Sequence, residues 1–257
     1  MTVEEENMTQ RGDEVLAKLW ERNYDPHTSS IISGLSPADT WRCLDVGAGS
    51  GSMSRWLAER VPRGEVLAVD VDDTGFGASC APNLTFRQLD VAEAEFDSGS
   101  FDLVLARAVV SHLPQAEQQL ARMVDWVAPG GWLLVEDFYF LPSEDAPQDA
   151  GRSVVAAYTG TFRAGGADMR IARRLPARLA QHGLTSVDVS VRPLGPGQGA
   201  DENELMRTRM ELHGQALVDQ GLVSSDHLSE FVATLDRPQA RDVTVLQFSV
   251  WGQRAEL

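Results

Sequence analysis

The sequence predicts an α/β fold, a mostly parallel sheet with helices on both faces. Three observations lead there. Apolar strand-like runs alternate with helical patterns from residue 41 to residue 138, and strands alternating with helices mean a parallel sheet. Those runs are apolar nearly throughout, as strands buried on both sides should be. Finally, "CLDVGAGSGSMSRWLAERV" (43–61) passes from a strand through three alternating glycines into a helix.

Element by element, the acidic start "MTVEEENMTQ" reads as a frayed tail and not as a signal peptide. A first helix is expected over 14–24. Strands follow at 41–47, 65–72, 84–91, 101–107 and 131–138. Between them, 51–60 places Met53, Trp56 and Leu57 on one helical face, and 114–127 does the same with Leu120, Met123, Val124 and Val127. "APGG" (128–131) stops that second helix. The C-terminal third differs: 185–194 and 243–254 alternate more cleanly, and the 48 residues between them (195–242) carry helical patterns at about 202–220 and 225–235. A connection that long is usually functional. We expect the domain to span 41–257, with cap insertions at about 139–166 and 195–242 and an N-terminal helical lid over 1–40. Ordinary core-covering helices are the competing reading.

Bulk properties narrow the function. The 257 residues carry 22 Lys plus Arg against 38 Asp plus Glu, a net charge of -16. Duplex nucleic acid and anionic membranes both need a basic face, so neither is expected as partner. No apolar run approaches the roughly 20 residues that span a bilayer. Cys43 and Cys80 have no metal or redox spacing and read as reduced thiols. A cytoplasmic protein is expected, with a homodimer left open.

The glycines Gly47, Gly49 and Gly51 remove Cβ atoms where a ligand meets backbone, and they permit positive φ. They sit at the carboxyl end of the first strand, where open α/β sheets bind ligands. The next strand ends in Asp70, 19 residues after Gly51. A carboxylate there can accept two ribose hydroxyls, from either a dinucleotide or an adenosyl ligand. Two residues disfavour the dinucleotide. Ser52 stands where its fingerprint wants glycine, and Asp45 would set an anion beside a pyrophosphate. The same anion suits a ligand carrying ammonium and sulfonium charge.

With "LDVGAGSGSMSRWLAERV", "VDVDD", "LDV", "FDLVLARAVVSHLP" and "APGGWLLVEDF" in this order, the chain resembles the class I S-adenosylmethionine-dependent methyltransferases. It looks most like their small-molecule members common in actinobacteria. The resemblance implies a Rossmann-like seven-stranded sheet of order 3-2-1-4-5-7-6, the last strand antiparallel, and S-adenosyl-L-methionine as cofactor. It also assigns roles. Gly47, Ala48, Gly49 and Gly51 line the methionine moiety and ribose, with Asp45 near the amino group. Asp70 accepts the ribose hydroxyls, and Val71 packs the adenine. Asp90 bonds the adenine amino group beside Val91, and a strand-end turn acid is its competing reading. Ala106 and Arg107 face the sulfonium. The glycine-rich "DDTGFGASC" departs from the regular helix of relatives.

Methyl transfer from a sulfonium is an in-line displacement, and positioning supplies much of its rate. A base is needed only when the acceptor must lose a proton. The candidate catalytic residues are His112, Tyr24 and Glu136. His112 also reads as a helix-start histidine bonded to backbone, Tyr24 as a packing contact, and Glu136 as a cap on the sheet edge. Candidate acceptor contacts are His27, Asp137, Tyr139 and His213. Arginines along 170–183 read chiefly as a solvated face. No cluster has metal spacing, and the Asn/Asp-Pro-Pro-Tyr signature is absent. The expected function is therefore methylation of a small organic acceptor in natural-product biosynthesis, oxygen preferred over carbon or nitrogen. The rivals are a protein of this fold acting as a cyclase or non-methylating binder, and a nicotinamide dehydrogenase.

Overall fold

The structure, a computed structural model, describes residues 3–73, 75–76, 81–237 and 239–256. Seven strands form one sheet: β1 (Arg42–Val46), β2 (Glu65–Asp70), β3 (Leu84–Gln88), β4 (Phe101–Arg107), β5 (Val127–Phe140), β6 (Leu184–Leu194) and β7 (Val245–Arg254). Their order is β3-β2-β1-β4-β5-β7-β6, with β7 antiparallel. Seven helices accompany them: α1 (Val3–Gly34), α2 (Ser52–Arg60), α3 (Ala116–Trp126), α4 (Asp149–Ala164), α5 (Leu175–Gln181), α6 (Ala200–Asp219) and α7 (Ser225–Thr234).

Two expectations are corrected. The first helix does not stop at Tyr24, and the acidic N-terminus is not a frayed tail. α1 is helical from Val3 to Gly34 and runs through Pro26. "APGG" does not separate helix from strand. α3 ends at Trp126 and β5 begins at once, absorbing the glycines in an irregular pairing with β4 between Phe101 and Leu103. Cys43 is a buried free thiol. Cys80, read as its reduced counterpart, lies outside the described residues, as does much of the glycine-rich stretch 72–80.

The chain divides into two compact units. The sheet unit comprises 25–139, 170–191 and 247–257. Strand alternation splits its core into two apolar layers. Leu44, Val104 and Leu133 meet Leu120 and Met123 of α3 and Leu179 of α5. Cys43, Leu105 and Leu134 meet Met53 and Leu57 of α2 and Ile32 of α1. The helical unit comprises 1–24, 140–169 and 192–246 and has its own core, with Val154, Met210, Leu217 and Phe231 at its centre. No described helix is long and apolar enough to cross a membrane.

Candidate functional site

β1 pairs in parallel with β2 and β4, so its carboxyl end lies beside Asp70 and Ala106. There the chain turns through Gly47, Gly49 and Gly51, all at positive φ (66°, 53° and 75°). The three are glycines for different reasons. A Cβ on Gly47 would lie 2.2 Å from Val109 Cγ2, and one on Gly51 would lie 2.5 Å from the Phe76 ring. At Gly49 a Cβ would meet nothing within 4 Å. Two glycines therefore let protein pack on protein, and the middle one faces open space. Its amide donates to Asp70 Oδ2 at 2.8 Å, which ties the loop to the tip of β2.

A cavity of about 380 Å3 opens beside this loop, lined among others by Gly47, Asp70, Val71, Asp90, Val91 and His112. That volume lies within the roughly 300–1,000 Å3 usual for small-molecule sites. Asp90 Oδ1 accepts the amide of Ala92 at 2.8 Å, so this residue does hold a turn. The same side chain lines the cavity, and the two readings are compatible. His112 ends a 3₁₀ turn (Val110–His112) and is exposed on the cavity wall. Just before it, Ala108 sits at φ 56°, a left-handed conformation rare outside glycine.

Asp45 is 3% exposed and accepts the Ser54 hydroxyl at 2.5 Å, joining β1 to α2. Burial pushes its carboxyl up to about 6. Ala48 is partly buried against the α2 layer, and Ala106 is fully buried. Arg107 is held by Asp25 at 2.6 Å, and it also reaches Thr28 Oγ1 at 3.3 Å. Thr28 donates to Glu136 Oε2 at 2.5 Å, and Ser249 donates to Glu136 Oε1 at 2.5 Å. Glu136 is thus a buried hub, with one hydroxyl donating to each of its oxygens. Asp137 is equally buried. Its Oδ2 accepts the Ser111 amide and its Oδ1 the Phe138 amide, at 2.8 and 2.9 Å. It pins the turn before His112.

Tyr139 is half-buried in the sheet unit, edge-on to Phe248, with Arg173 over its ring. His27 is half-buried on α1. In the helical unit, Tyr24 is buried and donates to Glu202 at 3.3 Å. Burial first, then Glu202, raises its hydroxyl well above the ordinary value, so it is a poor general base. His213 is exposed on α6, whereas its neighbour Met210 is buried. Arg170, Arg173 and Arg174 are exposed, as expected of a solvated face. Among the described residues no group of acids, histidines and cysteines could hold a metal.

Sequence reasoning missed Asp25, Thr28, Ser54 and Ser249. Asp25 and Thr28 stand at i and i+3, one face of a helix. That signal was available only to a reader who continued α1 through Pro26.

Residues 44–135 match a family model described as a methyltransferase domain. Methyltransferase str3 of Strobilurus tenacellus is 37% identical over 151 residues, covering 56% of this chain and 54% of that protein. Trans-aconitate 2-methyltransferase of Deinococcus radiodurans is 38% identical over 96 residues, 36% of each chain. The structure of phosphoethanolamine N-methyltransferase 2 from Haemonchus contortus superposes with a TM-score of 0.62 at 15% identity, over 90% of this chain and 53% of that one. The match spans about half of the Strobilurus protein's length and about a third of the Deinococcus protein's. The open Gly49 direction, the paired acids and the cavity suit an adenosyl ligand with an amino-acid tail. Over residues 44–135 the chain is similar to a methyltransferase domain, which supports the class I, S-adenosylmethionine-dependent kind with S-adenosylmethionine as cofactor.

Proposed function

We propose that the chain methylates a small organic acceptor, with oxygen ahead of carbon or nitrogen as the receiving atom, in cytoplasmic natural-product metabolism of the actinobacterial type. The observation that carries this reading is the loop at Gly49, open where a Cβ would stand and tied through its amide to Asp70 at the mouth of the cavity. Relatives and neighbours named for trans-aconitate and for phosphoethanolamine support a small acceptor.

The cofactor supplies a methyl group already activated on a sulfonium. The chain's residues bind and orient. Asp70 takes the ribose hydroxyls, and Asp90 with Val91 takes the adenine edge, Val71 its face. Gly47, Ala48, Gly49 and Gly51 receive the methionine tail, with the Asp45 carboxylate favouring its ammonium. Ala106 and Arg107 end β4 on the sulfonium side. Among the three candidate bases we favour His112, which is exposed on the cavity wall, whereas Glu136 and Tyr24 are buried. We extend the proposal to acceptor selection by segments 1–40, 139–166 and 195–242. Alanine at His27, Tyr139 or His213 then raises KM for the acceptor and leaves cofactor affinity alone.

The test is release of S-adenosylhomocysteine with a panel of organic acids, phenols and amines. Acceptor-dependent release supports transfer. Tight S-adenosylmethionine binding with no release from any of them favours the second reading, a cyclase or non-methylating binder. That reading draws on one observation: the β5 acids Glu136 and Asp137 are both buried and hydrogen-bonded within the fold. Tighter titration by a nicotinamide dinucleotide than by S-adenosylmethionine would overturn both.

A further inference from the structure

We propose that the helical unit carries a binding site for a small oxyanion, a carboxylate or phosphate group, formed by the guanidiniums of Arg192 and Arg209. The site stands on a ladder of aromatic rings. Trp20 and Tyr24 of α1 lie 4.4 Å apart. The Arg192 guanidinium lies 5.1 Å from the Tyr24 ring centre. Arg209 of α6 lies 5.9 Å from the Trp20 ring and 5.6 Å from that of Tyr158. Rings hold a guanidinium by its face and leave its N–H edge for another partner.

The edges lack that partner. Arg192 Nη1 donates to the Asn23 carbonyl at 2.9 Å, which fixes the group. Its Nε and Nη2 are buried and have no hydrogen-bond partner among the described residues. Those two atoms form the side-on edge that meets a carboxylate or phosphate with two parallel bonds. Arg209 makes ring contacts but no hydrogen bond or ion pair among the described residues. Other arginines of this acidic chain do pair: Arg207, on the same helix, holds Asp236 at 2.6 Å, and Arg22 holds Asp201 at 3.0 Å. The acid inside the cluster is Glu202. It is buried, accepts the Tyr24 hydroxyl, and is pushed toward its neutral form by burial. Two guanidiniums therefore face one weakened acid, in a protein of net charge -16. Packing alone does not need charged forks with empty edges. An oxyanion fills them.

The inference does not depend on methyl transfer, because binding is read directly. The full chain is titrated by calorimetry with trans-aconitate and, separately, with inorganic phosphate, each against sodium chloride at matched ionic strength. Saturable binding of at least one is expected, and which one saturates distinguishes a carboxylate from a phosphate ligand. Arg192→Gln and Arg209→Gln should each weaken it at least about tenfold, the scale of a lost charge-assisted pair. Arg209→Lys should not restore it, since the charge stays but the fork is lost. Affinity for S-adenosylhomocysteine should stay unchanged in all three. Because the variants can fail to fold, phenylglyoxal modification of the unaltered protein is mapped in parallel, and the anion should protect Arg192 and Arg209. Saturation by neither anion, unweakened binding in the variants, or equal modification with and without anion would overturn the proposal.

Discussion

Two pairs of acids stand at the same carboxyl edge of one sheet and do opposite things. Asp70 and Asp90, after β2 and β3, line a cavity and spend part of their hydrogen-bonding capacity on loop amides. Glu136 and Asp137, within β5, are buried and accept from Thr28, Ser249, Ser111 and Phe138. All four are carboxylates near one edge of the sheet, Glu136 standing level with Arg107 at the end of β4. What differs is burial, since both oxygens of Asp70 also accept amides, from Gly49 and Asp72, yet Asp70 lines an opening. Buried carboxylates held by protein donors hold a fold together, and carboxylates beside an opening are available to a ligand.

The comparison can be broken most forcefully at Glu136. Glu136→Ala leaves Thr28 and Ser249 without their acceptor. It should cost about 3–4 kcal/mol of stability, the scale of breaking a buried charged network. Urea unfolding reads this directly; a loss under about 1 kcal/mol would mean that the hub is not structural.

Asp45 tests the boundary between the two classes. Its carboxyl in the folded chain, at about 6, lies above the ordinary 3.8. Folding therefore favours its protonated form. The penalty is absent below the ordinary value, grows as pH rises between the two, and is complete above 6, at about 3 kcal/mol. Asp45→Asn should stabilise the protein at pH 7.5, hardly change it at pH 4, and weaken S-adenosylmethionine binding. A ligand ammonium near Asp45 would lower that pKa again, so binding at pH 6 should release protons, visible as a buffer-dependent calorimetric heat. Buffer-independent heat at pH 6 would place the ammonium elsewhere.

Asp70→Ala should behave the other way from Glu136→Ala. Affinity for S-adenosylmethionine falls at least about tenfold, while stability changes by less than about 1 kcal/mol. Unchanged affinity in a folded variant would remove the ribose assignment. A small effect on stability is also expected at Gly49. Gly49→Ala meets open space and pays only for its positive φ, about 1 kcal/mol, yet it should impair cofactor binding. Gly51→Ala strikes the Phe76 ring and should lose more stability.

Much of this was legible in the sequence wherever the signal is local. The glycine loop, Asp70 and Asp90 stand out because strand ends, turns and spacing are written within a few residues. The strand order came with the resemblance to a family and not from the pattern of apolar residues. α1 was cut short because Pro26 and the polar "DPHTSS" read as a loop. Tertiary partners override that local preference, since Asp25 and Thr28 are held by Arg107 and Glu136. The fate of Glu136 was not legible, because its donors lie 108 and 113 residues away in the chain. Nothing within the strand records which long-range partner will fill a carboxylate.

A crystal structure of the chain with S-adenosylhomocysteine tests the central claim most directly. The account predicts both ribose hydroxyls on Asp70, the adenine beside Asp90 and Val91, and the amino-acid tail against Gly49. An adenosyl group bound away from Asp70, or a Gly49 backbone untouched by ligand, would contradict it.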